Sequence, residues 1–162
     1  MRDFGLRSRE FHAQWDPLRP PDYWSLPQVA ERLRAQVEEA HRQASLCLAF
    51  SDMNDPARII GVSNVRNIIR GAMLGCHLGY ALSPDAVGRG YMTEAVQETV
   101  RIAFEELALH RVEANVIPRN TKSIAVLERA GFSREGLSPK YLRIAGVWED
   151  HMRFAIINEE QR

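Results

Sequence analysis

Lysine is nearly missing from this chain, cysteine is scarce, and neither sign of charge is in excess. Of 21 basic residues only Lys122 and Lys140 are lysines, and the acidic residues also number 21, so the formal net charge is zero. A balanced chain has no overall field to gather nucleic acid or an anionic membrane, and neither partner is expected. No apolar run approaches the ~18 residues of a membrane span. The N-terminal MRDFGLRSREFHAQW has no apolar centre of a secretory signal. Cys47 and Cys76 lie singly inside apolar runs, with no C-x-x-C spacing and no His/Cys cluster. No metal site is expected, and buried thiols in a reducing compartment are the reading. What is present is a globular mixture, 45% hydrophobic and 26% charged over 162 residues. That length is close to one domain by the rule of roughly 100–200 residues per domain. With no repeat, low-complexity run or Gly/Ser linker, residues 1–162 read as one cytoplasmic domain.

The first 25 residues read as an irregular segment, because Trp15–Pro21 holds three of the eight prolines. Ser25-Leu-Pro-Gln28 has the form of a capping box, and Val29, Leu33, Val37 and Ala40 follow at helical spacing, predicting a helix to about Gln43. Three strand-like runs come next: 45–50, 58–65 and 73–82, joined by short turns that favour antiparallel pairing. From Gly90 the period changes. Met92, Ala95, Val96, Thr99, Val100, Ala103 and Leu107 share one helical face, predicting a helix to about Leu109. Residues 110–117 alternate and stop at Pro118, a strand. Asn120 or Thr121 can cap a helix that Gly131 ends. Two strands near 137–144 and 147–157 meet at Ala145-Gly146, a tight turn. The order α, βββ, α, β, α, ββ is an α/β (α+β) layer with a mixed, largely antiparallel sheet.

Two places can carry chemistry. Asp85-Ala-Val-Gly88-Arg-Gly90-Tyr-Met-Thr-Glu94 joins a strand end to the long helix. Its glycines let a ligand approach the backbone, and the helix leaves its first N–H groups unpaired, a pocket suited to phosphate oxygens. It lacks the Gly-Lys-Ser/Thr of a Walker A loop, and Thr93 stands where a dinucleotide fingerprint has its third glycine. A structural tight turn is the alternative. The second place gathers Asn115 at a strand end, Asn120 at a helix start and Ser123 in its first turn. These polar groups can meet a ligand across the sheet edge, or Asn120 can merely cap while Ser123 faces solvent.

Taken together and in this order, the two places resemble the GNAT family of acetyl-CoA-dependent N-acetyltransferases. The resemblance runs from about Leu46 to Ile157 and is tightest over Gly79-Tyr-Ala-Leu82, Gly88–Ala95, His110-Arg-Val and Asn120-x-x-Ser…Gly131-Phe. The tail Glu135-Gly…Tyr141-Leu-Arg-Ile-Ala-Gly-Val-Trp148-Glu-Asp150-His151 resembles the RimJ-like branch, the ribosomal-protein-alanine N-acetyltransferases. The resemblance implies a sheet splayed at a cofactor cleft and flanked by helices. It implies that the amides of Val87, Gly88, Arg89, Gly90, Tyr91 and Met92 hold the coenzyme A pyrophosphate. Ala81, Leu82 and Ser83 would pair with the pantetheine amides, and Asn115, Asn120 and Ser123 would line the thioester side. Two departures stand out. Asp85 replaces the usual Gln or Arg three residues before the first glycine, so its carboxylate is expected to point away. No Arg-Leu-x-Leu-Arg strand opens the chain, so the sheet is expected to lack its first strand, through an upstream start or an exposed edge that favours a homodimer.

The implied reaction is direct attack of a neutral amine on the acetyl-CoA thioester. An α-amine with a pKa of about 7.7–8.0 is roughly a tenth neutral at pH 7, so a weak base suffices for a protein N-terminus. The expected acceptor is an N-terminal alanine or serine of a ribosomal-type protein. A small amine, or a silent acetyl-CoA-binding module, are the alternatives. Ser123 is the candidate for a hydrogen bond to the leaving sulfur, against simple helix packing. His77 is the candidate base, against a plain surface histidine. Tyr141, Trp148 and Asp150 read as parts of the final hairpin.

Overall fold

Short polar turns fold three strands back on one another, and a helix then carries the chain over the sheet to a strand that runs parallel. The computed structural model describes residues 1–161. Its elements are α1 (Arg2–His12), α2 (Leu26–His41), β1 (Leu46–Asp52), β2 (Asp55–Ile69), β3 (Gly75–Leu82), α3 (Tyr91–Arg101), β4 (Arg111–Val116), α4 (Thr121–Arg129), β5 (Ser133–Ile144) and β6 (Val147–Ile157). They build one six-stranded sheet in the order β1-β2-β3-β4-β6-β5. Every neighbouring pair is antiparallel except β3 with β4. That parallel pair needs a long crossover, and α3 supplies it. The β5–β6 turn is two residues long, with Ala145 at φ 48° and Gly146 at φ 87°, the left-handed pair that matches strand twist.

The core lies between the sheet and helices α3 and α4. Val65, Cys76 and Leu78 from the sheet meet Val96, Val100 and Ala103 on the α3 side and Leu127 on α4, with Phe154 of β6 beneath. Burying each such valine, leucine or phenylalanine contributes about 1.5–3 kcal/mol. One polar pair sits inside: the hydroxyls of Thr99 and Ser63 share a hydrogen bond at 2.9 Å, which ties α3 to β2. A charge at Val96, fully buried, would break this layer.

Four details differ from the sequence reading. Residues 2–12 are helical, not irregular. Phe4, Gly5 and Ser8 form the buried face of α1, and Gly5 admits the Trp24 ring, which a Cβ would meet at 2.1 Å. The prolines begin only after this helix, so their breaking effect does not reach it. Ser25 is the N-cap of α2 but its side chain makes no capping bond; Pro27, near the start of the helix, has no N–H to offer. The long helix keeps α geometry only to Arg101 and then widens into a π turn, Ile102–Glu106. That turn places both Ala103 and Leu109 fully inside the core. Finally, β2 and β5 are longer than the apolar runs that marked them. Among the described residues no strand precedes α1, and β1 is an open edge of the sheet. No described helix is long and apolar enough to cross a membrane.

Candidate functional site: the gap between two parallel strands

The site begins where a ladder stops. β3 pairs with β4 from Gly75↔Arg111 to Leu78↔Ala114 and no further. On its other side β3 stays paired with β2 as far as Gly61↔Leu82, and β4 stays paired with β6 as far as Val116↔Met152. The last turn of each strand therefore splays from the other. The Ser83 N–H donates to the Ile60 carbonyl on the β2 side at 2.7 Å. By the two-residue alternation of a strand, the backbone groups of Leu82 and Tyr80 then point into the gap. His12 of α1 takes the Leu82 carbonyl, its Nε2 donating at 2.9 Å. The Tyr80 N–H and C=O face a gap with no strand to pair them.

Above the gap stands the glycine turn. Gly88 and Gly90 both have φ 86°, and a Cβ at either would meet nothing within 4 Å. Backbone conformation therefore demands glycine there, and the space beside it stays open. Gly90 is the N-cap of α3 and has no side chain to cap it, which leaves the first N–H groups of the helix facing outward. Asp85 does point away: its carboxylate accepts a hydrogen bond from Arg58. That bond holds the Asp85 carboxyl below the usual carboxylate range.

On the opposite side of the gap, Asn120 caps α4 by accepting the Ser123 N–H at 3.2 Å. Ser123 Oγ lies 2.8 Å from the hydroxyl of Tyr80, which also reaches the Ser123 carbonyl at 3.1 Å. Burial pushes the Tyr80 phenol up to about 12, against a smaller opposing pull from the Ser123 hydrogen bond. Tyr80 is therefore a neutral hydroxyl at any physiological pH, wedged between the β3 arm and α4.

These parts enclose one cleft of about 760 Å³. Of the residues expected there, Ala81, Leu82, Val87, Gly88, Gly90, Met92, Asn115, Asn120 and Ser123 line it. Four do not. Ser83 is fully buried beside the turn, its Oγ without a partner. Tyr91 turns its hydroxyl to the Asp52 carboxylate, which lowers the Asp52 pKa and raises that of Tyr91. Arg89 lines a separate hollow of about 140 Å³ with Asp52, Arg58 and Asp85. His77 is not a cleft residue either; its Nε2 lies 3.6 Å from Glu113 Oε2. Glu113 is buried, which alone would raise its pKa, but Arg111 at 2.6 Å, with Arg153 and His77, holds it low. The sequence reading passed over Tyr80, His12 and His151, which all line the cleft. Tyr80 had a readable signal: it alternates with Leu78 and Leu82 on the core side, where a hydroxyl needs a partner.

The acetyltransferase (GNAT) domain family matches residues 3–133. The probable N-acetyltransferase YjcK of Bacillus subtilis is 40% identical over 160 residues, covering 98% of this chain and 88% of that protein. The crystal structure of a ribosomal-protein-S5-alanine acetyltransferase from Vibrio fischeri superposes with a TM-score of 0.95 at 35% identity, over 99% of this chain and 87% of that one. Mycobacterium smegmatis RimJ in complex with CoA-disulfide superposes with a TM-score of 0.90 at 28% identity, over 98% and 76%.

Proposed function

The chain belongs to the GNAT acetyltransferases, and on that premise we propose that it moves the acetyl group of acetyl-CoA to the α-amine of a cytoplasmic protein, one beginning with alanine or serine in the manner of a ribosomal protein. The observation that carries this reading is the one-sided ending of the β3–β4 ladder beneath an uncapped helix start. The residues fit the cosubstrate. The unpaired backbone of Tyr80 offers a donor and an acceptor for an amide-bearing arm. The open space at Gly88 and Gly90, with the first N–H groups of α3, suits a pyrophosphate. The thioester supplies an acetyl group already activated for attack, so no residue of the chain has to be acetylated. Neither cysteine enters: Cys76 is sealed in the core and Cys47 sits on β1.

The remaining work belongs to side chains. Tyr80 has one hydroxyl hydrogen, and when it points to Ser123 Oγ the serine hydrogen is free to donate into the cleft. Ser123 then offers a hydrogen bond to the sulfur as it leaves, and Asn120 fixes the turn that aims it. The protein acceptor is supported by the two solved relatives, one named for ribosomal protein S5 alanine and one named RimJ.

Calorimetric titration with acetyl-CoA, followed by thiol release with N-terminal peptides and small amines, tests the reading. Binding with turnover on Ala- or Ser-starting peptides is expected. Turnover confined to amino acids or polyamines would move the acceptor to a small amine. Failure to bind acetyl-CoA would overturn the reading.

A further inference from the structure

The base expected on β3 is not in the cleft, but another imidazole is. His151, on β6, is only 3% exposed and still lines the cleft. Its Nδ1 lies 3.0 Å from the backbone carbonyl of Glu149. A carbonyl oxygen can only accept, so Nδ1 carries the hydrogen and Nε2 keeps a free lone pair. Among the described residues Nε2 has no hydrogen-bond partner and is not one of the sealed, unpaired side-chain atoms, so it opens onto the cleft. The Tyr141 ring packs edge-on against the imidazole, centroids 5.7 Å apart. The Glu149 carboxylate is turned to Arg119 at 2.8 Å and makes no demand on the ring.

The register says which side of the sheet this imidazole occupies. Asn115 stands opposite Arg153, and Val116 opposite Met152. Val116 and Met152 belong to the core under α3 and α4. Asn115, Arg153 and, two residues on, His151 therefore face the other way. Ser123 and Tyr80 reach the gap from the helical side, and His151 reaches it from the opposite side. A leaving group and an incoming nucleophile need separate approaches, and the cleft supplies a hydroxyl pair on one and a lone pair on the other.

Resting on the acetyltransfer reading above, we propose that His151 is the general base for the acceptor amine. As the new N–C bond forms, His151 Nε2 takes a proton from the amine nitrogen. The C–S bond breaks with its electron pair going to sulfur, the thiolate takes a proton from solvent, and the imidazolium returns its proton to solvent. His12, the other cleft imidazole, is anchored through Nε2 to the Leu82 carbonyl on the rim formed by α1.

The test compares His151→Gln with His12→Gln. For His151→Gln the expected result is a fall in kcat of roughly 10²-fold, the lower end of general-base effects. The KM and calorimetric affinity for acetyl-CoA should stay unchanged, and added imidazole should restore part of the rate to His151→Ala. Full kcat in His151→Gln, or loss confined to His12→Gln, would overturn the proposal. Should the substitutions unfold this buried site, the ¹⁵N shifts of the native histidines decide. Hydrogen on Nδ1 of His151 is expected, and hydrogen on Nε2 at neutral pH would overturn the assignment. Absence of acetyl-CoA binding or turnover by the native chain would instead sink the acetyltransfer reading, and the base with it.

Discussion

The two sides of β3 differ in a way that its own sequence does not show. Towards β2 the strand is paired along its length to Leu82; towards β4 the pairing ends at Leu78, four residues earlier. Below that point the β3–β4 contact is closed by ordinary structural means. His77 and Glu113 stand side by side there, with Arg111 and Arg153 on the carboxylate. Above it the same two strands expose Tyr80, Ala81 and Asn115 to an open cleft. The lesson is that two residue steps along a strand, from His77 to Gly79, separate a charge network that holds the sheet from a gap available to a ligand. Charge and histidine alone do not mark the site; unpaired backbone does.

Substitutions can break this contrast in order of expected size. Gly88→Glu acts at the open end: the left-handed backbone and a carboxylate near an anion site both oppose binding. A repulsion of about 4 kcal/mol at 4 Å weakens acetyl-CoA roughly 10³-fold, and the left-handed backbone costs about 1–2 kcal/mol of stability, so the melting temperature falls as well. Calorimetry on the variant checks this. Ser123→Ala should lower kcat by roughly 10²-fold with little change in acetyl-CoA affinity, read by steady-state thiol release. Tyr80→Phe addresses the wall between cleft and core. Burial holds the folded phenol up to about 12, against 10.0 ordinarily, so the contribution of Tyr80 to stability is fully present below pH 10 and is lost as pH rises towards 12. Cys76, also pushed up to about 12 by burial, adds a loss that begins near its ordinary 9.0. In urea titrations from pH 8 to 11.5, Tyr80→Phe should remove about 2 kcal/mol of the alkaline loss, leaving the thiol's share. Asp85→Asn should be smallest. Its ion pair with Arg58 is exposed, so less than about 1 kcal/mol of stability is expected to go, with acetyl-CoA binding intact.

Local pattern carried much of this molecule. The helical face of Met92, Val96 and Val100, the left-handed glycines at 88 and 90, and the Asn120 cap of α4 are short-range properties, and all are where their spacing puts them. The misses share a cause. α1 buries a face of Phe4, Gly5 and Ser8 that has little apolar periodicity and depends on Trp24 for its partner. Tyr80 is held by Ser123, 43 residues away. His77 looked available on β3, yet its neighbour Glu113 comes from a strand reached only after the α3 crossover. His151 reads from the sequence only as part of the tail motif, because its place at the cleft depends on register with β4. Fold class is written in periodicity; the cleft is written in contacts between distant segments.

Amide hydrogen exchange at Tyr80 and Leu82 tests the central claim most directly. Both N–H groups point to the β4 side, where the ladder has ended. On saturation with acetyl-CoA, exchange at Tyr80 should slow by about tenfold or more, a pairing worth at least 1.4 kcal/mol, while Ala81 on the β2 side changes little. Binding that leaves the Tyr80 amide unprotected would contradict the account, because the cosubstrate would then lie somewhere other than the gap between β3 and β4.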